Sequence, residues 1–147
     1  MDEFPDYALR GILNESFIEN GRPKFNVFKD GFESKEERYE LSINWYDCEE
    51  ALDQIKNQIN DKKQEPRYKF AVPLIRGDID HISYTSQLQG KISYERAKLD
   101  DNKYHGNILM SNNCLDSDLK SLSFTLTLCC KEIIPFDDEI TQKLEKS

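Results

Sequence analysis

Eight consecutive residues constrain this chain more than any others: Tyr39, Leu41, Ile43 and Trp45 alternate with Glu40, Ser42, Asn44 and Tyr46. A period of two puts the first four on one face of a strand and the second four on the other, so the segment reads as a half-buried strand. Such a strand needs an apolar layer over one face, which the rest of the chain must supply. The following Asp47-Cys48-Glu49-Glu50 places a glutamate three positions after a side-chain acceptor, which predicts a capping box opening a helix. Ala51, Leu52, Ile55 and Ile59 then share one helical face up to about Asn60, and the polar residues 61–66 end it.

On the N-terminal side, the apolar run 7–12 around Arg10 predicts a first strand. Asn20-Gly21-Arg22-Pro23 predicts a turn, because Asn and Gly tolerate positive φ and Pro23 fixes the exit. Phe25, Val27 and Phe28 mark a short apolar element, and residues 29–38 read as an exposed loop. On the C-terminal side, residues 67–75 read as a strand in which Pro73, lacking a ladder donor, predicts an edge or a bulge. Gly77 and its acidic neighbours predict a turn, with 78–84 a helical turn or a strand end. Residues 87–94 and 104–110 read as strands on either side of a charged loop, 95–103. Over 116–134 two periods compete. Leu122, Phe124, Leu126, Leu128 and Cys130 alternate, whereas Leu119, Leu122, Leu126, Cys129 and Ile133 fit a helical face capped by Asp116 or Ser117, and the cap and the length favour the helix. These elements predict one α+β domain over residues 1–136, with a mixed or antiparallel sheet of about 4–6 strands and one or two helices. Residues 137–147 form a charged C-terminal tail expected to fray.

Charge narrows the function. With 28 acidic against 20 basic residues the net charge is −8, which opposes the phosphate neutralisation that binding duplex nucleic acid requires. One Trp, seven Tyr and eight Phe, set against a mean hydropathy of −0.75, indicate a folded core under a solvated surface. The N-terminal MDEFPDYALR lacks the basic start and apolar core of a secretory signal, and no window reaches a membrane span, so a cytoplasmic, non-membrane protein is expected. Cys48, Cys114, Cys129 and Cys130 form no CxxC pair and read as reduced, mostly buried thiols with no metal site. GxGxxG, GxSxG, HExxH and calcium-loop patterns are missing, so no cofactor is expected.

Four residues are candidates for ligand or partner contacts: Arg10, Ser42, Asn44 and His105. A guanidinium flanked by apolar residues must find a carboxylate, a phosphate or a cluster of carbonyls, and an internal ion pair is its simplest partner. Ser42 and Asn44 share the strand face opposite Leu41, Ile43 and Trp45. His105 precedes Gly106, whose missing side chain lets a backbone approach closely, and an imidazole titrates near neutral pH.

The succession Leu9-Arg10-Gly11-Ile12, Phe17 with Asn20-Gly21-Arg22-Pro23, Phe28, Leu41-Ser42-Ile43 and Tyr104-His105-Gly106-Asn107-Ile108 resembles small uncharacterised bacterial proteins of mobile and defence gene neighbourhoods. It spans residues 7–110 and implies a bacterial accessory protein with no assigned activity. The expected function is a non-catalytic interaction or accessory module, an antitoxin-, immunity- or defence-complex-like subunit. It would meet a protein partner through an acidic surface and exposed aromatics such as Tyr46 and Tyr104. The alternative is a nucleotide-binding domain similar to ADP-ribosyltransferase-like folds, with Arg10 on an early strand, Ser42 on a later one, and Glu50 or His105 completing a cleft. This chain departs from that pattern in having no Glu-x-Glu signature on a late strand. The enzyme requires Arg10, Ser42 and His105 to converge on one concave pocket, whereas the interaction module requires an exposed apolar patch rimmed by acids.

Overall fold

A computed structural model describes residues 4–35, 38–60, 65–84, 88, 90–111 and 116–136. The chain runs through β1 (Tyr7–Ile12), α1 (Asn26–Lys29), β2 (Phe32–Ser34), β3 (Arg38–Trp45), α2 (Glu50–Lys56), β4 (Phe70–Ile75), α3 (Arg76–Tyr84), β5 (Ile92–Arg96), β6 (His105–Ser111), α4 (Asp116–Cys129) and β7 (Ile134–Pro135). The seven strands form one antiparallel sheet in the order β7-β4-β1-β3-β6-β5, with β2 paired to β3 off this path. The fold is therefore α+β, as the alternation of strand and helix signals predicts.

Register explains which residues are buried. Ala8 lies opposite Trp45, Leu9 opposite Asn44, Asn44 opposite His105, and Ser42 opposite Asn107. The predicted apolar face of β3 accordingly enters the main core. Leu41, Ile43 and Trp45 are buried there with Ile108 and Met110 of β6, beneath Leu119, Leu122, Leu126 and Cys129 of α4, Ile79 of α3, and Val27 and Phe28 of α1. A fully buried leucine such as Leu122 or Leu126 contributes about 2 kcal/mol by leaving water. On the other face of the sheet α2 packs Leu52 and Ile55 onto Leu9, Ala71 and Ile134, the β1, β4 and β7 half. Ser42, on the β3 and β6 half of that face, is exposed.

Several local expectations are corrected. The predicted loop 29–38 contains β2, which pairs Phe32 with Leu41 and Ser34 with Tyr39. The segment after β4 is the nine-residue helix α3, which starts at Arg76 and runs through Gly77, because Ile79 supplies a fully buried apolar anchor. Helix α2 stops at Lys56, where Asn57 caps it, and Ile59–Asn60 begins a small ladder with Glu65–Pro66. The strand predicted at 87–94 starts only at Ile92, after Gly90 turns the chain at φ 77°. Residues 116–129 are helical, and the turn at 20–23 is a hairpin with Asn20 at φ 53° and Gly21 at φ 77°. Pro73 lies inside the sheet opposite Leu9. Its carbonyl accepts from Lys131 N–H at 2.8 Å on the outer side of β4, so its missing donor also points outward, where among the described residues only a bridge at Leu74 and the two-residue β7 pair. Residues 61–64, Cys114, residue 87 and the tail 137–147 lie outside the described residues.

Candidate functional site

Arg10 fills a gap in the sheet. One edge of β3 is shared by β1, which pairs at Trp45 and Asn44, and by β2, which pairs over residues 39–41. Ser42 falls between the two partners, and its carbonyl accepts from Arg10 Nη1 at 2.8 Å, while Nη2 reaches the Val27 carbonyl at 3.3 Å. Among the described residues the expected ion pair is not formed, and Arg10 holds the two carbonyls instead. Burial holds the guanidinium below its ordinary pKa, yet arginine stays charged. Its Nε is buried without a partner among the described residues.

The other predicted residues share the sheet face away from the main core. Asn44 is buried, donates from Nδ2 to the Ala51 carbonyl at 3.0 Å, and accepts from Asn102 Nδ2 at 2.8 Å. It thereby ties β3 to the first turn of α2 and to the loop before β6, which is a structural task. His105 Nδ1 lies 2.8 Å from the Ala97 carbonyl. Nearby on the same face, Arg38 donates to Glu40 and Glu95, and Asn107 Nδ2 donates to Glu95 at 2.7 Å. Ser42, Asn44 and His105 are thus brought to one face, but Arg10 is spent on backbone. A shallow depression of about 210 Å³, lined by residues including Arg38, Lys91, Ser93 and Ser111, contains none of the four. Among the described residues no group of three or more His, Cys, Asp or Glu is placed to hold a metal ion, and no helix is long and apolar enough to cross a membrane.

A second cluster sits where β3 gives way to α2. Sequence spacing predicts that Asp47 caps α2, but the N-cap is Glu49, without a side-chain cap bond. Asp47 instead receives both Nη1 and Nη2 of Arg96 at 2.9 Å, the two-pronged geometry that guanidinium and carboxylate favour. Tyr104, expected to be exposed, is buried, and Tyr46 is half-buried. The Tyr104 hydroxyl donates to Glu50 at 2.6 Å, and Cys48 Sγ lies 3.2 Å from it. A phenol has one proton, so the thiol is the donor to Tyr104. These bonds to Cys48 and Glu50 raise the Tyr104 pKa, and the Tyr104 and Lys103 contacts lower that of Glu50. Cys48 is exposed, contrary to the expected burial, whereas Cys129 is buried and its thiol is pushed up to about 11. Burial thus makes Cys129 a poor nucleophile, because the thiolate is the reactive form.

The Arg96 contact holds the Asp47 carboxyl below its ordinary pKa. A depressed carboxylate stabilises the fold above its unfolded pKa, about 3.9, and that contribution disappears as pH falls through the lower folded value. Asp47→Asn therefore lowers stability at pH 6 by under about 1 kcal/mol, the scale of a partly exposed pair. Denaturant unfolding from pH 6 to pH 2 should show the gap to the parent closing below pH 4.

The feature missed in the sequence is the outer side of α4. Phe124 and Leu128, one turn apart, are 60% and 69% exposed, and Phe25, preceding α1, stacks on Phe124 with ring centroids 4.7 Å apart. The helical face Leu119, Leu122, Leu126 and Cys129 leaves exactly these two apolar residues of α4 unassigned, and that remainder was the available signal. Around them stand Lys120, one turn before Phe124, Lys24 beside Phe25, and Arg22, whose Nη1 reaches the Thr127 carbonyl at 3.5 Å. Lys29 and Lys120 both pair with Asp116 at 3.3 Å. No protein-family model, curated protein sequence or solved structure matches the chain.

Proposed function

We propose that this protein is a non-catalytic interaction module, an accessory subunit that docks on another protein through the outer face of α4. The observation that carries the reading is the exposure of Phe124 and Leu128 beside Phe25, since water-facing apolar side chains grouped in this way are the usual material of a protein interface. The commitment of Arg10 to the Ser42 and Val27 carbonyls supports it further, because a guanidinium used in this way is not available to a nucleotide. The resemblance over residues 7–110 supplies the setting, a bacterial defence or antitoxin-like complex. Cations and acids are mixed around the patch: Lys29 and Lys120 pair with Asp116, and Arg22 lies across the hairpin from Glu19.

A photo-crosslinking residue at position 124, compared with one at Ser42 on the exposed sheet face, tests the reading in native host cells. A stoichiometric protein adduct from 124 and none from 42 is expected. An adduct from 42 alone, or a purified protein carrying a nucleotide, would overturn it. Leu128→Ser should change stability by no more than about 0.5 kcal/mol, as surface substitutions usually do, while removing at least half of the adduct. Thermal unfolding and adduct yield are read on the same preparation.

A further inference from the structure

We infer that β5 pairs with the β5 of a second copy of this chain, antiparallel about a two-fold axis at Ser93, joining two sheets into one. The inference is independent of the reading of α4 and concerns a different element. Strand β5 ends the sheet, with β6 on one side of it. The Lys91 carbonyl accepts from the Ser111 N–H at 3.3 Å, and the Ala97 N–H donates to the His105 carbonyl at 2.9 Å. Backbone groups alternate sides along an antiparallel strand, so those of Ser93 and Glu95 also face β6, whereas those of Ile92 and Tyr94 face outward. Among the described residues the outward N–H and C=O of Ile92 and Tyr94 meet no partner. Donors and acceptors set in a row on an edge without proline or bulge are a template for another extended strand. The far end of the sheet is closed instead, because Pro73 lacks its outward donor and Cys130, Lys131, Ile134 and Phe136 line the outer side of β4 and the residue before it. Pairing through β5 therefore makes a closed pair and not a growing row.

The residues along this edge select a second copy as the occupant, because they complement themselves. With Ser93 on the axis, Ile92 of each copy lies opposite Tyr94 of the other, and each such pair exchanges two backbone hydrogen bonds. Every outward donor and acceptor of these two residues is then used. Ile92 and Tyr94 are half-buried and packed against the main core, so on that face a β-branched side chain meets an aromatic one, a favourable cross-strand pair. On the other face the exposed Ser93 meets its own copy, and Lys91 falls opposite Glu95. Both are already engaged within the chain, Lys91 with Asp118 at 3.0 Å and Glu95 with Arg38 and Asn107. They therefore add little affinity, and their effect is on register, since no like charges face each other there. The two neighbouring registers lose the Ile92–Tyr94 pair. An axis at Tyr94 sets Ile92 opposite Arg96, and an axis at Ile92 sets Tyr94 opposite Gly90.

Amide hydrogen exchange of the full chain, read residue by residue at about 50 µM and about 1 mM, the range in which a small interface forms, tests this without any substitution. The Ser93 and Glu95 amides, bonded to β6, should be slow at both concentrations. The Ile92 and Tyr94 amides should be fast in dilute solution and at least about fivefold slower in concentrated solution. Sedimentation over the same range should show monomer giving way to dimer. Ser93→Asp sets two carboxylates against each other on the axis and should raise the dimer dissociation constant at least about tenfold, with circular dichroism showing that the variant is folded. Ser93→Cys, made together with Cys48→Ser so that an exposed thiol does not compete, should yield a dimer linked through position 93 when treated with glutathione disulfide. Residues that face each other between bonded pairs have Cα atoms about 4.5 Å apart, within disulfide reach. Ile92 and Tyr94 amides that are equally fast, or equally slow, at both concentrations would overturn the inference. So would a dimer that forms no link at position 93, or one that Phe124→Asp dissolves and Ser93→Asp does not. The crosslink at position 124 reads the α4 face separately, so the two proposals stand or fall apart.

Discussion

Arg10→Ala is expected to lower stability by about 3 kcal/mol, shifting the thermal midpoint down by about 10 °C. Two carbonyls, those of Ser42 and Val27, lose their donor at once; water can reach the one at exposed Ser42, so the cost of an unsatisfied acceptor, about 1–3 kcal/mol, falls on Val27, which is buried. The loss of the side-chain stem adds a packing defect. Arg10→Met keeps most of the stem and removes a cation that burial disfavours, so it should recover about half of the loss. Arg10→Lys keeps the charge but offers a single point of donation, which cannot span both carbonyls. Gly31 makes the argument sharper. A Cβ there would collide with Arg10 Nη2 and with Leu41 Cδ1, the latter at 2.7 Å, so Gly31→Ala alone should cost about 1–3 kcal/mol. In the Arg10→Ala background part of that cost should vanish, because the guanidinium is gone, and the double-mutant cycle measures the coupling. Additive effects, or an Arg10→Ala protein of parental stability, would show that the guanidinium does not close the sheet.

The same residue shows how far sequence reasoning reaches. That Arg10 needed a buried partner was legible from its apolar neighbours. That the partner would be a carbonyl was not, because the vacancy at Ser42 exists only once β1 and β2 share an edge of β3, and the short β2 has no pattern of its own. The period of two in residues 39–46 correctly put Leu41, Ile43 and Trp45 in the core, and Asn44 with Ser42 on the other side. It said nothing of α2, which reaches Asn44 but leaves Ser42 exposed. Spacing alone made Asp47 a helix cap, whereas the distant Arg96 offers it two charged donors and wins. Helix α3 was obscured because Gly77 reads as a turn signal, and tertiary burial of Ile79 overrides it. The exposed apolar face of α4 was written in the sequence as a conflict: Phe124 and Leu128 belong to the strand-like alternation of 122–130, and they become conspicuous only when the helix prevails.

Gly106→Ala is the second large effect, expected to cost about 2–4 kcal/mol. Beside His105, Gly106 was expected to permit close approach of a backbone. What approaches is also a side chain: the Trp45 indole packs against Gly106 and donates from Nε1 to the Glu95 carbonyl at 2.9 Å. A Cβ at 106 would strike the indole nitrogen and would lie 2.5 Å from both Trp45 Cδ1 and the Glu95 oxygen. Neither neighbour has room to retreat, because Trp45 is fully buried, with Phe4 at 4.9 Å and Tyr94 at 5.7 Å from its ring centroid, and Glu95 is fixed in β5 opposite Asn107. The methyl group must therefore displace the indole, break its hydrogen bond and disturb the ladder between β5 and β6. Trp45 is the only tryptophan in the chain, so its emission reports the event directly. The variant should show a red-shifted maximum together with a lower denaturation midpoint. In a Trp45→Phe background the hydrogen bond is already absent and the smaller ring leaves space, so adding Gly106→Ala should cost less than half as much. A blue, native-like emission in Gly106→Ala, or an equal penalty in both backgrounds, would show that the indole does not depend on the missing side chain.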